Sequence, residues 1–279
     1  MRNTRYFYGQ LAFTILVCSF LIVPVIMSVM AGITENFFKG IGSGVTLKWV
    51  WQVWDLYADT IFLSMLIAIA CLACTIALGV PAAYVLSKRQ GPVARAIEEL
   101  LTLPLAVPGL AIALALIVTY GGYRDFRASW VFILVGHVLY TLPFMMRSVL
   151  AVLSSADFRT LEEGAASLGA GFWRRFFDIV IPNCRSGILA GSLMVVTLSM
   201  GEFNITWMLH TPENKTLPVG LADSYASMRL EVGSAYTVVF LVMIVPLLIA
   251  LQKWGQPRKM RAKMREDSPE LQTEPVSKD

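Results

Sequence analysis

The sequence predicts an all-helical polytopic membrane protein with six transmembrane helices and both termini cytoplasmic. Three observations carry that prediction. Residues of the AVILMFWYC set make up 56% of the 279 residues and charged residues only 15%, against roughly 25% charged in soluble domains. Mean hydropathy is +0.64, so there are too few charges to cover a globule of this size. The charges are also clustered: Tyr6 to Thr34, Thr60 to Ser87, Leu100 to Tyr123, Ala128 to Met146 and Val232 to Gln252 contain no Asp, Glu, Lys or Arg. Such runs reach or approach the ~20 residues that carry a helix across a ~30 Å hydrocarbon core. Helix is the economical spanning structure here. Lipid offers backbone amides no partner, and the alternation of a barrel strand is missing.

In order, the spans are about Gly9–Met30, Thr60–Leu86, Leu101–Tyr120, Trp130–Leu150, Gly187–Leu209 and Gly233–Leu251. The first follows basic residues as a signal peptide would. Its uncharged run far exceeds an h-region of about 7–15 residues, and no clear small-residue cleavage site follows, so a retained signal anchor is expected. Pro24, Pro81, Pro104, Pro108, Pro143 and Pro246 fall inside spans, where a membrane bundle tolerates them as kinks. The fifth span is interrupted by a single acid, Glu202.

Lys and Arg set the orientation. With the N-terminus inside, the cytoplasmic segments hold Arg2, Arg5, Lys88, Arg89, Arg95, Arg147, Arg159, Arg174, Arg175, Arg185 and seven more after Leu251; the outside keeps Lys39, Lys48, Arg124, Arg127, Lys215 and Arg229. The +4 net charge therefore reflects topology. Three regions follow: 1–59 with the first span and an outside loop, 60–251 as the main transmembrane domain, and 252–279 as a polar tail. That tail is basic from Lys253 to Arg265 and then acidic through Asp279, as suits a solvated end near anionic lipid.

The usual signatures of catalysis are weak. Cys71 and Cys74 have CxxC spacing but lie in an apolar run with no basic group to lower a thiol pKa. Cys18 and Cys184 are separated by topology, so no structural disulfide is expected. His137 and His210 alone cannot build a zinc site. Asn214-Lys-Thr216 is a glycosylation sequon with meaning only in a eukaryotic secreted loop. Gly40-Ile-Gly-Ser-Gly44 lacks the context of a phosphate cradle, and GxxxxGK[ST] does not occur. An enzyme is not expected, nor is nucleic acid a partner.

The connection between spans four and five, about Ser154 to Ser186, is the longest internal cytoplasmic segment. Leu161 to Leu168 reads as a short helix with Gly164 and Ala165 side by side, and Gly169-Ala-Gly171 breaks it. Phe172 to Val180 reads as a second, amphipathic helix ending before Pro182. Two short helices joined at glycine form an L-shaped lever whose small residues admit another protein's backbone. A helix pair lying on the membrane surface has the same pattern.

Glu163-Gly164-Ala165-x3-Gly169-x9-Ile179-x-Ile181-Pro182 resembles the EAA motif of bacterial ABC importer permeases, consensus EAA-x3-G-x9-I-x-L-P. The spacing fits throughout; Gly164 replaces the first Ala and Ile181 the Leu. Similarities extend over roughly Thr60–Leu251, including Gly79-Val-Pro-Ala-Ala-Tyr84, Leu103-Pro-Leu-Ala-Val-Pro-Gly109, and His137 through Pro143 to Arg147. The resemblance implies a type I importer fold in a bacterial inner membrane. It implies two ATP-binding subunits, a second permease subunit forming a heterodimer or homodimer, and an extracytoplasmic solute-binding protein. ATP would be bound by the partner, with no cofactor on this chain, and the loop helix would sit in a groove on the ATPase. Rocking about a central pathway is the corresponding alternating-access solution.

Ser199-Met-Gly-Glu202-Phe203-Asn-Ile-Thr206, followed by Thr216-Leu-Pro-Val-Gly220, is similar to the branch holding spermidine/putrescine, aminoethylphosphonate, thiamine and ferric-ion permeases. A carboxylate at membrane depth costs at least a few kcal/mol unless it meets a wet cavity or a partner. Facing a solute path, Glu202 would favour an amine-bearing solute, with Ser199, Phe203 and Thr206 on the same helical face. Polyamine is the first expectation and aminoethylphosphonate the second; a structural pair is the other role for Glu202. An ion-coupled secondary transporter would need repeats or more intramembrane charges than Glu202 and His137. A scaffold would not need the glycine-broken loop.

Overall fold

The computed structural model describes residues 4–89, 91–155 and 157–255. Almost all of them are helical. Helix α1 (Thr4–Gly32) is apolar on every side; it lies along the last helix, where the Ser28 hydroxyl donates to that of Thr237 at 3.2 Å. Helix α2 (Lys48–Lys88) has non-helical angles at Tyr57, φ −132° and ψ 22°. It starts about three turns before the expected Thr60 because Asp55 and Asp59 interrupt hydropathy without interrupting the helix. It also crosses the regional boundary expected at residue 60. Helix α3 (Pro92–Thr102) and helix α4 (Gly109–Tyr120) replace the single third span. The expectation of one helix there is corrected: the two are bent by 102°. Pro104 and Pro108 remove two amide donors, and Leu103–Leu105 tightens into a 3₁₀ turn at the bend.

Helix α5 (Arg124–Ala128) is a single loop turn before α6 (Trp130–Ser155), the fourth span. The following connection holds α7 (Phe158–Ser167), α8 (Phe172–Arg175) and α9 (Ile181–Asn183). The fifth span is α10 (Arg185–Gly201) and α11 (Asn204–Leu209), interrupted at Glu202 and Phe203. Helix α12 (Leu217–Ala226) precedes α13 (Leu230–Gly255), the sixth span. Among the described residues, four helices are long and apolar enough to cross a membrane, or up to six if each bent pair is one span. The tail beyond residue 255 lies outside the described residues.

Helices α2, α6 and α10 pack at the centre, burying Cys71, Val80, Met145, Val149 and Val195. The α6–α10 contact is made close by a small residue. A Cβ on Gly187 would stand 2.6 Å from the Ser148 carbonyl oxygen, so only glycine lets the backbones meet. This bundle holds the α6–α10 connection at one end and the α10–α11 break within it.

Candidate functional site

The connection begins with a capped helix. Asp157 accepts from the Thr160 amide at 3.2 Å and its hydroxyl at 2.6 Å, which meets an otherwise orphaned first-turn donor. Those bonds, the hydroxyl's first, hold the Asp157 carboxyl below its ordinary range. The cap is therefore complete near neutral pH and is lost as pH falls through that lowered range. Helix α7 ends in a Schellman motif. Gly169 has φ +85°, its amide donates to the Ala166 carbonyl at 2.9 Å, and that of Ala170 to Ala165 at 3.0 Å. The glycine of the motif is thus required by the backbone itself.

Past the break, α8 widens into a π turn over Phe176–Val180 and resumes at Ile181. This corrects the expectation that the second helix stops before Pro182. The π turn immediately before it relaxes the ladder where Pro182 lacks an N–H, so the helix passes through the proline. This segment is bent 70° from α10. Glu163 is exposed and accepts from the Arg159 Nε at 2.8 Å. Gly164 and Pro182 are exposed; Ala165, Ile179 and Ile181 are half-buried. Leu161, Leu168, Trp173 and Phe177 expose apolar surface on the same segment, Leu168 to 89%.

The neighbouring Glu162 does not follow the motif outward. It is 3% exposed; Tyr84 Oη donates to its Oε2 at 2.6 Å and Lys88 Nζ does so at 2.6 Å. Glu162 lies outside the motif spacing that marks Glu163. Its signal was the four-residue step from Phe158, which is also buried and places both on one face of α7.

In the fifth span, Ser199, Glu202, Phe203 and Thr206 do not lie along one continuous helical face. They bracket the break, where Glu202 is extended with ψ 119°. Glu202 caps α11: its carboxylate accepts from the amide of Ile205 at 2.9 Å and of Thr206 at 3.0 Å. His137 of α6 joins the two halves, with Nδ1 2.9 Å from Ser199 Oγ and Nε2 2.8 Å from Thr206 Oγ1. A neutral imidazole serves both, donating from one nitrogen and accepting at the other. The Thr141 hydroxyl extends this network, donating to the His137 carbonyl at 2.7 Å and standing 3.1 Å from Cys71 Sγ. Only Phe203 of the four turns elsewhere. It borders an apolar cavity of about 410 Å³, together with Leu217, Pro218, Leu221 and Phe240.

Known proteins share this arrangement of sequence. Residues 75–260 match the family described as binding-protein-dependent transport system inner membrane component. The chain is 26% identical over 211 residues to the molybdenum transport system permease protein ModB of Escherichia coli K12, covering 70% of this chain and 92% of that protein. It is 26% identical over 245 residues to the sulfate transport system permease protein CysW of Synechocystis, covering 82% and 87%. The putative 2-aminoethylphosphonate transport system permease protein PhnV of Salmonella typhimurium is 24% identical over 248 residues, covering 86% and 91%.

Proposed function

Since the chain belongs to the family of binding-protein-dependent transport system inner membrane components, we propose that its α7–α9 segment is the docking lever for an ATP-hydrolysing partner and that its solute carries a small oxyanion group. The chain is the membrane-embedded permease subunit of an importer. One observation carries the docking reading: a glycine-broken helix pair presents Leu161, Leu168, Trp173 and Phe177 to the exterior on the segment that holds the Glu163-to-Pro182 spacing. Large apolar side chains exposed on a polar loop mark a surface for a partner. Two ATP-binding subunits would dock on this chain and a second permease, with the binding protein at the opposite end.

The oxyanion reading rests on two supports. Glu202, whose charge made an ammonium group attractive, is engaged with backbone amides of α11. The named relatives move molybdenum, sulfate or 2-aminoethylphosphonate. Sulfate and phosphonate groups are tetrahedral oxyanions, and molybdenum takes that form in neutral water. The test is uptake by vesicles holding this chain with its ATPase and binding protein, offered sulfate, molybdate, 2-aminoethylphosphonate or spermidine. ATP-dependent uptake of one of the first three, with spermidine excluded, is expected. Uptake of spermidine alone would overturn the oxyanion reading.

A further inference from the structure

Adjacent glutamates on α7 face different ways, as a helix turning ~100° per residue requires. The Glu163 side chain is 65% exposed, that of Glu162 4%. A buried carboxylate is tolerated only when it is paired and hydrogen-bonded. Glu162 meets both conditions on the last turn of α2, through the Lys88 ammonium and the Tyr84 hydroxyl, which also contact each other. The Tyr84 ring then reaches past the glycine break: its centroid lies 5.1 Å from that of Phe176 and 6.1 Å from that of Phe172. Both arms of the loop are held at one point of α2.

The far part of α2 is tied as well. Ser64 Oγ accepts from the Leu217 amide at 2.7 Å, so α2 also holds the start of α12. From Ser64 to Lys88 the helix keeps regular angles through Pro81, a run of roughly 36 Å. We propose that Glu162, Tyr84 and Lys88 form a strut by which the loop and α2 move as one body, making Glu162 a positioning residue for transport while Glu163 faces the partner. The inference rests on the docking reading above. Charge-assisted bonds suit a strut because they are short and directional. The loop's chain connections run to α6 and α10, which pack on α2 in the same bundle, and the strut adds a polar tie at the loop itself.

The experiment uses the assembled complex with its ATP-binding subunits and cognate binding protein. Three readouts are taken: subunit attachment, basal ATP hydrolysis, and stimulation of hydrolysis by loaded binding protein. Glu162→Gln is expected to keep attachment and basal hydrolysis while losing about tenfold in stimulation. Tyr84→Phe, which keeps the ring and removes one bond, loses less. Exchanging the pair as Lys88→Glu with Glu162→Lys restores stimulation, which identifies the pair itself as the contact that Glu162→Gln breaks; retained attachment and basal hydrolysis in Glu162→Gln are what separate a strut from a contact needed only for folding. Glu163→Gln should instead weaken attachment. Wild-type stimulation in both Glu162→Gln and Tyr84→Phe would overturn the strut. So would a Glu162→Gln chain that fails to accumulate while Tyr84→Phe is stimulated normally. Failure of the unaltered chain to retain its ATPase at all would sink the docking reading first.

Discussion

Glu202 places a carboxylate deep in the apolar part of the chain, and two backbone amides accommodate it. The break in the fifth span leaves the first-turn amides of α11 without intrahelical acceptors, and Glu202 supplies one. Glu202→Gln keeps one acceptor oxygen but turns an NH₂ toward N–H donors. A stability loss of about 1 kcal/mol is expected, read by thermal unfolding in detergent. Uptake should fall equally for cationic and anionic solutes, tracking folded protein. A selective loss for a cation would return Glu202 to the solute path. His137 is the complementary case. His137→Ala leaves two buried hydroxyls, Ser199 and Thr206, without their shared partner, and about 1–3 kcal/mol of stability should go with them. Unchanged unfolding would mean that the two halves of the span are held by packing alone.

At the scale of elements, Gly169 separates two requirements that the motif alone cannot. Its φ of +85° penalises any L side chain, at about 1–2 kcal/mol for a residue with a Cβ. Yet a Cβ there meets no atom within 4 Å in this chain. The backbone requirement therefore predicts that Gly169→Asn retains more ATPase attachment than Gly169→Ala, since Asn tolerates the left-handed region. A docked partner predicts that Gly169→Trp is worse than Gly169→Ala, because bulk matters only against something outside the chain. Co-purification across the three variants reads both. Equal attachment for Trp and Ala would leave the glycine with a local role and no partner at that point.

For the whole molecule, the polar loops assigned to the outside by charge are tied together at one end. Arg229 Nη1 donates to Tyr57 Oη at 2.7 Å, Arg127 Nη1 to the Leu209 carbonyl at 2.7 Å, and the Phe37 amide to Glu231 at 2.9 Å. The strut and the α7–α9 segment lie at the other end of α2. The topology proposed from the positive-inside rule puts that second end in the cytoplasm. In a background lacking the native cysteines, Lys48→Cys and Met228→Cys should label with an impermeant thiol reagent from outside. Leu168→Cys should label only after the membrane is opened. Outside labelling at Leu168 would invert the topology.

How much was legible in the residues follows from the range of the forces involved. Hydropathy and the spacing from Glu163 to Pro182 are local in sequence, so the helical membrane class, the family and the glycine-broken loop could be read directly. Gly169 was readable because a left-handed backbone asks for glycine wherever it occurs. The bends were not. Prolines in the third span marked a weakness without its angle, and the 102° turn leaves α4 packed on α6 and α11 while α3 buries no residue. Glu202 was conspicuous as a lone acid, but its partners are backbone amides created only when the helix breaks. Glu162 and Glu163 are indistinguishable as adjacent letters. Only the meeting of α7 with the end of α2, 74 residues away along the chain, buries one and exposes the other. The residues determined what would be apolar, where charge would gather and which turn would need glycine; the tertiary structure decided which polar groups face each other, because a hydrogen bond requires two groups within about 3 Å and sequence separation sets no such distance.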